Sequence, residues 1–356
     1  MHIRRLTEAL EQFIKNLFPG YFALVMATGI VSIASHLLGM GSLAWFLLYV
    51  NLIAYGILWL LFVARLLWFS KPLIDDLVDH SRGPGFFTLI AGTCVLGSQL
   101  DLVAGDTAAA TYLFYLGVGL WILIMYIFFT AVTVNNPKPT IEEGLNGAWL
   151  IAIVATQSIS ILGTVLSSRF PSGEQVMLFF SLGMYLFGLM LYLLVIGLIF
   201  YRWIFINLKP EELTPPYWIN MGAVAITTLA GDTIILHASQ WGFLRELLPF
   251  LKGMTLFSWA AATWWIPLLF IVGAWRHIYK QYPLRYNPQY WGMVFPLGMY
   301  TTCTHQLAMA MGIEFVNIIP EYFIYVALIA WAATFLGLLV SIFEGFYVNG
   351  FVQEPG

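Results

Sequence analysis

Asp101, Asp232 and His305 are ionisable side chains that lie inside otherwise apolar stretches of this sequence. Such groups can bind and release a proton, and their burial is costly, so an ionisable residue in an apolar segment indicates a functional site. Each also has a structural explanation. Asp101 could lie near enough to the end of its segment to contact water, and His305 could pack sideways against a neighbouring helix. Asp232 could accept a hydrogen bond from Thr228 one turn earlier, or could itself be protonated.

Hydroxyl, amide and glycine residues recur along the odd-numbered apolar segments at spacings that put several of them on one helix face. Hydroxyls, amides and backbone dipoles can replace part of the water around an anion, and no Lys or Arg lies in the middle of these segments. Alternatively, small residues serve only close helix packing, and hydroxyls bond to their own backbone. The candidates for lining a pathway are Thr28, Ser32, Thr93, Gly97, Thr156, Gln157, Ser160, Thr228, Gly231 and Thr302.

The segment 290–311, YWGMVFPLGMYTTCTHQLAMAM, is long enough to cross a bilayer but is poorly suited to facing lipid. Pro296 lacks a backbone N–H, so it predicts a kink and leaves a carbonyl without its helical partner. The polar residues that follow are Thr301, Thr302, Thr304, His305 and Gln306. Interrupted polar backbone is tolerated in a membrane only inside protein or beside a water-filled cavity. We therefore interpret the segment as the wall of a pathway, with Phe295 beside the break.

The composition places the chain among integral membrane proteins. It has 356 residues, of which 60% are hydrophobic and 9% are charged, whereas a soluble domain has about 25% charged residues. The formal net charge of −3 provides no basic surface for nucleic acid. Cys94 and Cys303 have no CxxC or Cys/His spacing around them and are interpreted as small apolar residues. The sequence predicts neither a metal site nor a cofactor.

The apolar pattern predicts an all-α membrane protein with ten transmembrane helices. The expected spans are 17–38, 42–68, 86–104, 107–134, 146–166, 174–204, 218–238, 251–275, 290–311 and 320–347. Tight and long connections alternate, which indicates five helical hairpins in one transmembrane domain, 17–347. Residues 1–16 are expected to form a cytoplasmic amphipathic segment, and residues 348–356 a cytoplasmic tail.

Basic residues indicate how the chain is oriented. Of the 15 Lys and Arg residues, only Arg169, Arg245 and Lys252 lie beside connections that follow odd spans. The positive-inside rule therefore predicts that both termini are cytoplasmic. Odd spans are rich in small and polar residues, whereas even spans are bulky and apolar. The strings ATG, AGT, ATQ and AGD, which begin at residues 27, 91, 155 and 230, also recur at similar expected depth. These patterns predict odd helices inside and even helices outside, around a central pore with quasi-five-fold symmetry.

Two stretches resemble a known family: FPGYFALVMATGIVSIA at 18–34 and YWGMVFPLGMYTTCT at 290–304. They look like the tellurite-resistance/dicarboxylate transporter family, which includes the yeast malate and sulfite permeases and the plant slow anion channels. The resemblance extends over all ten spans. It implies a homotrimer with one pore per protomer, and a phenylalanine on the ninth helix that plugs each pore. Phe295 occupies the matching position here.

The expected function is that of a multi-pass cell-membrane permease that moves small anions, with dicarboxylates such as malate as the first candidates. The alternatives are a passive gated anion channel for chloride, nitrate or sulfite, and a tellurite-resistance permease. An intramembrane enzyme that uses Asp101, Asp232 and His305 is a more distant alternative, because the sequence has no HExxH or GxSxG motif.

Overall fold

Apolar runs of the sequence form long helices in the computed structural model, which describes residues 2–170 and 172–351. The described residues contain helices and connecting turns and no strand. The α-helices are α1 (His2–Lys15), α2 (Ala23–Leu37), α3 (Gly41–Trp68), α4 (Ser70–Leu77), α5 (Phe87–Gln99), α6 (Thr107–Val134), α7 (Ile141–Gly144), α8 (Ile151–Leu166), α9 (Glu174–Phe205), α10 (Ile219–Leu236), α11 (Gly242–Glu246), α12 (Leu248–Ala274), α13 (Trp291–Met311) and α14 (Ile318–Phe351). The protein is therefore an all-α membrane protein, as the sequence predicts.

Nine helical stretches of the described residues are long and apolar enough to cross a membrane. They are Pro19–Leu37, Gly41–Trp68, Gly83–Ala104, Thr107–Val134, Gly147–Arg169, Glu174–Phe205, Pro215–Gln240, Leu248–Tyr279 and Glu314–Glu344. The expected ninth span is the 21-residue helix α13, which is not among these nine because its second half carries a run of polar residues. That α13 also crosses the membrane stays a prediction.

Five helices form a closed ring of contacts, in which α2 packs on α5, α5 on α8, α8 on α10, α10 on α13, and α13 on α2. Each ring helix packs most extensively against the outer helix of its own hairpin, and these pairs are α2–α3, α5–α6, α8–α9, α10–α12 and α13–α14. Each ring helix also contacts the outer helix of the preceding hairpin. In the four ring helices that belong to spanning stretches, 83–94% of the residues in an apolar 18-residue stretch are buried. In the outer helices the corresponding share is 17–50%. The small and polar helices are therefore inside, and the bulky ones present their side chains outward.

A single 3₁₀ turn precedes each of the five ring helices, and these turns explain where the helices begin. The turns are Pro19–Phe22, Gly83–Phe86, Gly147–Leu150, Pro215–Trp218 and Pro288–Tyr290. Four of them have proline in the first two positions, where the missing N–H breaks no helical hydrogen bond and the ring favours helical φ.

Depth along the ring helices corrects one expectation about the internal repeat. Ala27, Ala91 and Ala155, which begin ATG, AGT and ATQ, each lie eight residues after the first residue of the preceding 3₁₀ turn. Ala230, which begins AGD, lies 15 residues after Pro215. The fourth string is thus about 10 Å deeper at the helical rise of ~1.5 Å per residue. The expected equal depth is wrong for AGD and holds for the other three strings.

The ends of the chain pack on the outside of the ring. Helix α1 contacts α3 and α14, and the Arg65 guanidinium donates to the Lys15 carbonyl (3.2 Å) and to Asp76 (2.7 Å). The segment expected as a tail, 348–356, continues the helix α14 as far as Phe351, and its residues 352–356 lie outside the described residues.

Candidate functional site

The five 3₁₀ turns meet around one cavity of about 210 Å³, which we call the vestibule. Each turn contributes one lining residue, and the helix that follows contributes another three positions later. These pairs are Gly20 and Ala23, Gly85 and Thr88, Ala148 and Ile151, Pro216 and Ile219, and Gln289 and Gly292. The N–H groups that begin the α-helices bond to carbonyls of the preceding 3₁₀ turns, as Ala23 does to Gly20, so it is the helix dipoles that place partial positive charge at these ends. Five helix N-termini therefore face one space, which is the arrangement that favours an anion.

The charged side chains of the vestibule do not by themselves favour an anion. Two arginines and three glutamates line it, and both arginines are engaged. Arg202 donates to the Leu145 carbonyl, to the Tyr217 hydroxyl (2.9 Å) and to Glu212 (3.3 Å). Arg82 forms an ion pair with Asp76 (2.6 Å). With both arginines paired, the helix N-termini are the remaining features of this cavity that favour an anion.

The vestibule was not predicted from the sequence, although the sequence contains a signal for it. The strings PGYF, GPGF, GAWL, PPYW and PQYW combine Pro or Gly with an aromatic residue at the start of every odd span. They show five similar helix starts, but only the fold reveals that the five starts meet. Gly147 shows how close the approach is, because a Cβ there would lie 2.5 Å from the Pro216 carbonyl oxygen of the neighbouring turn.

Neighbouring contacts define the direction in which Phe295 points. Pro296 packs against Gly222 of α10, and Gly298 packs against Ile30 and Val31 of α2. Since successive residues turn by about 100°, Phe295 lies in the sector of α13 between these two ring neighbours. Thr304, half a turn round the helix from Phe295 by the same rule, accepts a hydrogen bond from Trp259 of the outer helix α12 (3.0 Å). The Phe295 ring therefore faces the inside of the ring, and it is fully buried.

Most of the predicted pathway-lining residues have their polar groups directed at outer helices. Thr28 accepts from Trp331 of α14, Thr93 pairs with Tyr55 of α3, and Thr156 accepts from Trp121 of α6. The remaining polar contacts of this kind are Ser32 with the Ala44 carbonyl, Gln157 with the Tyr185 carbonyl, and Ser160 with the Ser181 carbonyl. The two glycines have no polar side chain: Gly97 packs against α6 and the ring helix α8, and Gly231 packs against Thr255 of α12. Their lining role stays a prediction, and these contacts argue against it.

Two further candidates bond within their own helices. Thr228 donates to the Val224 carbonyl (2.8 Å), so the expected hydrogen bond from Thr228 to Asp232 is absent and that expectation is wrong. Thr302 donates to the Gly298 carbonyl (3.0 Å). Thr302 is seven residues beyond Phe295 and shares its inward face, so among the hydroxyl candidates it is well placed for a lining role.

The ionisable candidates occupy three different places. Asp101 is partly exposed at the end of its helix and accepts from the Thr107 hydroxyl (2.8 Å), to which Arg169 also donates. His305 is partly exposed and faces Asn317. Asp232 is completely buried on the side of α10 that faces α9 and α12, away from the inside of the ring. The structure does not bring these three side chains together.

Among the described residues there is no group of three or more His, Cys, Asp or Glu side chains that could hold a metal ion. Both cysteines are buried and unpaired.

Comparison with known proteins identifies the family. A family model described as SLAC1, voltage-dependent anion channel, matches residues 16–339. The chain belongs to this family. Two uncharacterized transporters of Methanocaldococcus jannaschii are similar over almost their full length, at 23% identity over 94% of this chain and 98% of the relative, and at 25% identity over 96% and 98%. An uncharacterized membrane protein of Mycobacterium tuberculosis is 39% identical over 42% of this chain and 75% of its own length.

Membership of the SLAC1 family confirms the resemblance noted from the sequence. It makes the chain a multi-pass membrane protein of an anion permease and transporter family, and the family is one of transporters and channels, not of enzymes. For a SLAC1-family chain, the ring of five helices and the shared vestibule are the features that bear on anion passage.

Proposed function

We propose that this protein conducts small anions through the inside of the five-helix ring, from the vestibule past Phe295. The observation that carries the proposal is the convergence of five helix N-termini on one cavity. An anion that enters the vestibule would lose part of its water shell and gain partial positive charge from five directions. Dicarboxylates such as malate are the first substrates to test, because two carboxylates can contact several helix ends at once.

Phe295 is the proposed gate. It lies three residues beyond Gly292, the last vestibule residue of α13. In the other four ring helices, the residues three positions beyond the helical vestibule residue are Met26, Ala91, Val154 and Gly222. All four are buried. Ala91 is small and leaves room in this layer for an aromatic ring to lie across the passage, whereas Pro296 fills the space beside Gly222. A phenyl ring offers an anion no replacement for its water, so a dry layer of this kind is a barrier.

A passive channel is the second candidate mechanism within transport. Beyond the vestibule, the inward residues named above (Met26, Ala91, Val154, Gly222, Phe295 and Thr302) include no ionisable group. A carrier that couples anion movement to protons would need an ionisable group that binds the proton and contacts the passage. Uptake against an anion gradient, driven by an imposed proton gradient, distinguishes the carrier from the channel, which only dissipates gradients.

The assembly and location belong to the same proposal. We infer a homotrimer in the cell membrane with both termini in the cytoplasm, which places the vestibule at the cytoplasmic face. The one-sided distribution of Lys and Arg supports the orientation, and the exposed apolar side chains of the outer helices, such as Leu60, Leu194 and Ile329, support the membrane location. The homotrimer rests on the family resemblance alone.

The test of the proposed function is an anion flux screen on purified protein in sealed vesicles. Malate, chloride, nitrate, sulfite and tellurite would each be followed by release or uptake and by chemical analysis of the solute. Flux of an unchanged anion supports the proposal. Chemical conversion of the solute, or no flux of any anion even when Phe295 is truncated, would contradict it.

A further inference from the structure

Four buried side-chain oxygens at the junction of α9, α10 and α12 have no hydrogen-bond partner among the described residues. They are both carboxyl oxygens of Asp232 and the hydroxyls of Tyr185 and Thr255. All three residues are 0% exposed. The Tyr185 hydroxyl faces Thr255 and Asp232. Gly231 allows this approach, because a Cβ on it would overlap the Thr255 hydroxyl. Three helices thus direct unpartnered polar groups into one fully buried site.

The other junctions of the ring show what is unusual here. Each outer helix presents an aromatic residue to the ring helix of the next hairpin. In four cases the aromatic residue forms a hydrogen bond with a threonine hydroxyl: Trp331–Thr28 (3.0 Å), Tyr55–Thr93 (3.0 Å), Trp121–Thr156 (2.9 Å) and Trp259–Thr304 (3.0 Å). At the fifth junction Tyr185 of α9 faces Asp232 of α10 without a hydrogen bond between the two side chains, and Tyr192 of α9 donates to the Asn220 carbonyl of α10 (3.3 Å). Only at this junction is the residue of the ring helix ionisable.

None of the described residues places a positive charge beside the Asp232 carboxyl. The ionisable groups that face it are Tyr185 from α9 and Cys303 from α13, and both are neutral in their protonated forms. Helix α8 contains no ionisable residue, and the only one in α12, Lys252, is exposed. An ionised carboxylate in a dry site without a cation or hydrogen bonds is very unfavourable, so such a group neutralises instead.

We propose that Asp232 is a proton-binding site and is held as a neutral carboxyl in the folded protein. As the chain folds, the Asp232 carboxylate binds one proton from the solvent, and the resulting carboxyl group is uncharged. The neutral carboxyl is both a donor and an acceptor, so small rotations of Tyr185 and Thr255 can complete a hydrogen-bonded group. Proton binding at Asp232 does not require that the ring conducts anions, because the site lies between α10 and the outer helices α9 and α12.

Infrared spectroscopy of the wild-type protein in vesicles tests the assignment directly. A protonated carboxyl in a dry site has a carbonyl band separate from the carboxylate bands, and this band moves when the exchangeable proton is replaced by deuterium. We expect the band at neutral pH in the wild type and its loss in Asp232→Asn. If the wild type at neutral pH has no such band, the proposal is wrong, whether or not any variant folds.

The pH dependence of thermal stability is the second measurement. If folding takes up one proton at Asp232, the wild-type Tm should fall by about 2 °C per pH unit above the range where the unfolded carboxyl titrates, for a chain of this size. Asp232→Asn and Asp232→Thr should both lack this loss, so their Tm advantage over the wild type should grow with pH. Asp232→Thr is the matched variant, because the other four junctions carry threonine. Tyr185→Phe keeps the carboxyl and should keep the wild-type slope.

Two results would overturn the proposal. The first is the same pH slope in the wild type and in both Asp232 variants. The second is stabilisation of the wild type by Na⁺ at alkaline pH that disappears in Asp232→Asn, since this result would show that the site binds a metal cation instead of a proton.

Discussion

The indole Nε1 of Trp331 donates a hydrogen bond to the hydroxyl of Thr28 across 3.0 Å, and so joins the last described helix of the chain to the first ring helix. The two residues are 303 positions apart in the sequence. This contact belongs to the junction that closes the five-helix ring. The ring therefore depends on contacts between the two ends of the chain as well as on contacts within each hairpin.

Removing the indole donor should weaken the closure of the ring. Trp331→Phe keeps an aromatic ring that can stack on Phe335, whose centroid lies 4.9 Å from that of Trp331, but it loses the hydrogen bond. We expect a loss of about 0.6 kcal/mol of unfolding free energy, the average for side-chain hydrogen bonds in membranes. Trp264→Phe is the control, because Trp264 is 53% exposed. Equal Tm values for Trp331→Phe and the wild type would show that the hydrogen bond does not contribute.

The close contact at Gly147 predicts a second stability effect. A Cβ at Gly147 would overlap the backbone of Pro216 and Tyr217, so the two 3₁₀ turns would have to separate. Gly147→Ala should therefore lower the Tm and reduce anion flux by distorting the vestibule. Gly197→Ala is the matched control, because nothing lies within 4 Å of a Cβ there and alanine favours a helix. If Gly147→Ala is as stable and as active as Gly197→Ala, the vestibule does not depend on this packing.

Topology is tested by cysteine labelling from each side of the membrane. Lys71 and Arg245 are both exposed, and the two native cysteines are buried, so single cysteines at these positions should account for most of the labelling. We expect Lys71→Cys to react only from the cytoplasm and Arg245→Cys only from outside. Reaction of both from one side would rule out the alternating hairpin topology.

Charge placed in the vestibule should change anion entry. Gln289 is a partly exposed lining residue, and Gln289→Glu adds a negative charge with almost no change of shape. In a Phe295→Ala background, where the gate is open, we expect Gln289→Glu to slow anion flux and Gln289→Lys to preserve or raise it. The difference should shrink at high ionic strength, because exposed charges are screened. Equal flux in both variants would place the entry route elsewhere.

The sequence was sufficient to predict the class of fold and the division into inner and outer helices. Bulky runs such as 182–200 can face lipid, and one predicted span, Thr107–Val134, has the observed bounds. The direction of the polar faces was not predictable. Periodicity shows that Thr28 and Ser32 share a face, but not whether that face meets the axis or an outer helix. The partner that decides this for Thr28, Trp331, lies 303 residues away.

The inward direction of Phe295 likewise needed the fold. The sequence places Phe295 beside Pro296 but does not show which side of α13 points inward. The contacts of Pro296 with Gly222 of α10 and of Gly298 with α2 show it. Only one residue of the fifth junction, Asp232, could be singled out from the sequence. Asp232 is conspicuous in an apolar span, whereas Tyr185 and Thr255 are ordinary residues until the fold brings them to it.

The central claim is that Phe295 closes an anion pathway through the ring. Phe295→Ala removes a fully buried ring that faces the inside, whereas Tyr300→Ala removes a ring of the same helix that pairs with Thr263 of the outer helix α12. Both truncations should destabilise the fold, but the main difference between the two variants should be in anion flux. The decisive measurement is anion flux per folded protein in sealed vesicles for the wild type and these two variants. We predict a several-fold rise for Phe295→Ala alone. If Phe295→Ala lowers the amount of folded protein but leaves the flux per molecule unchanged, Phe295 is a packing residue and the pathway proposed here is wrong.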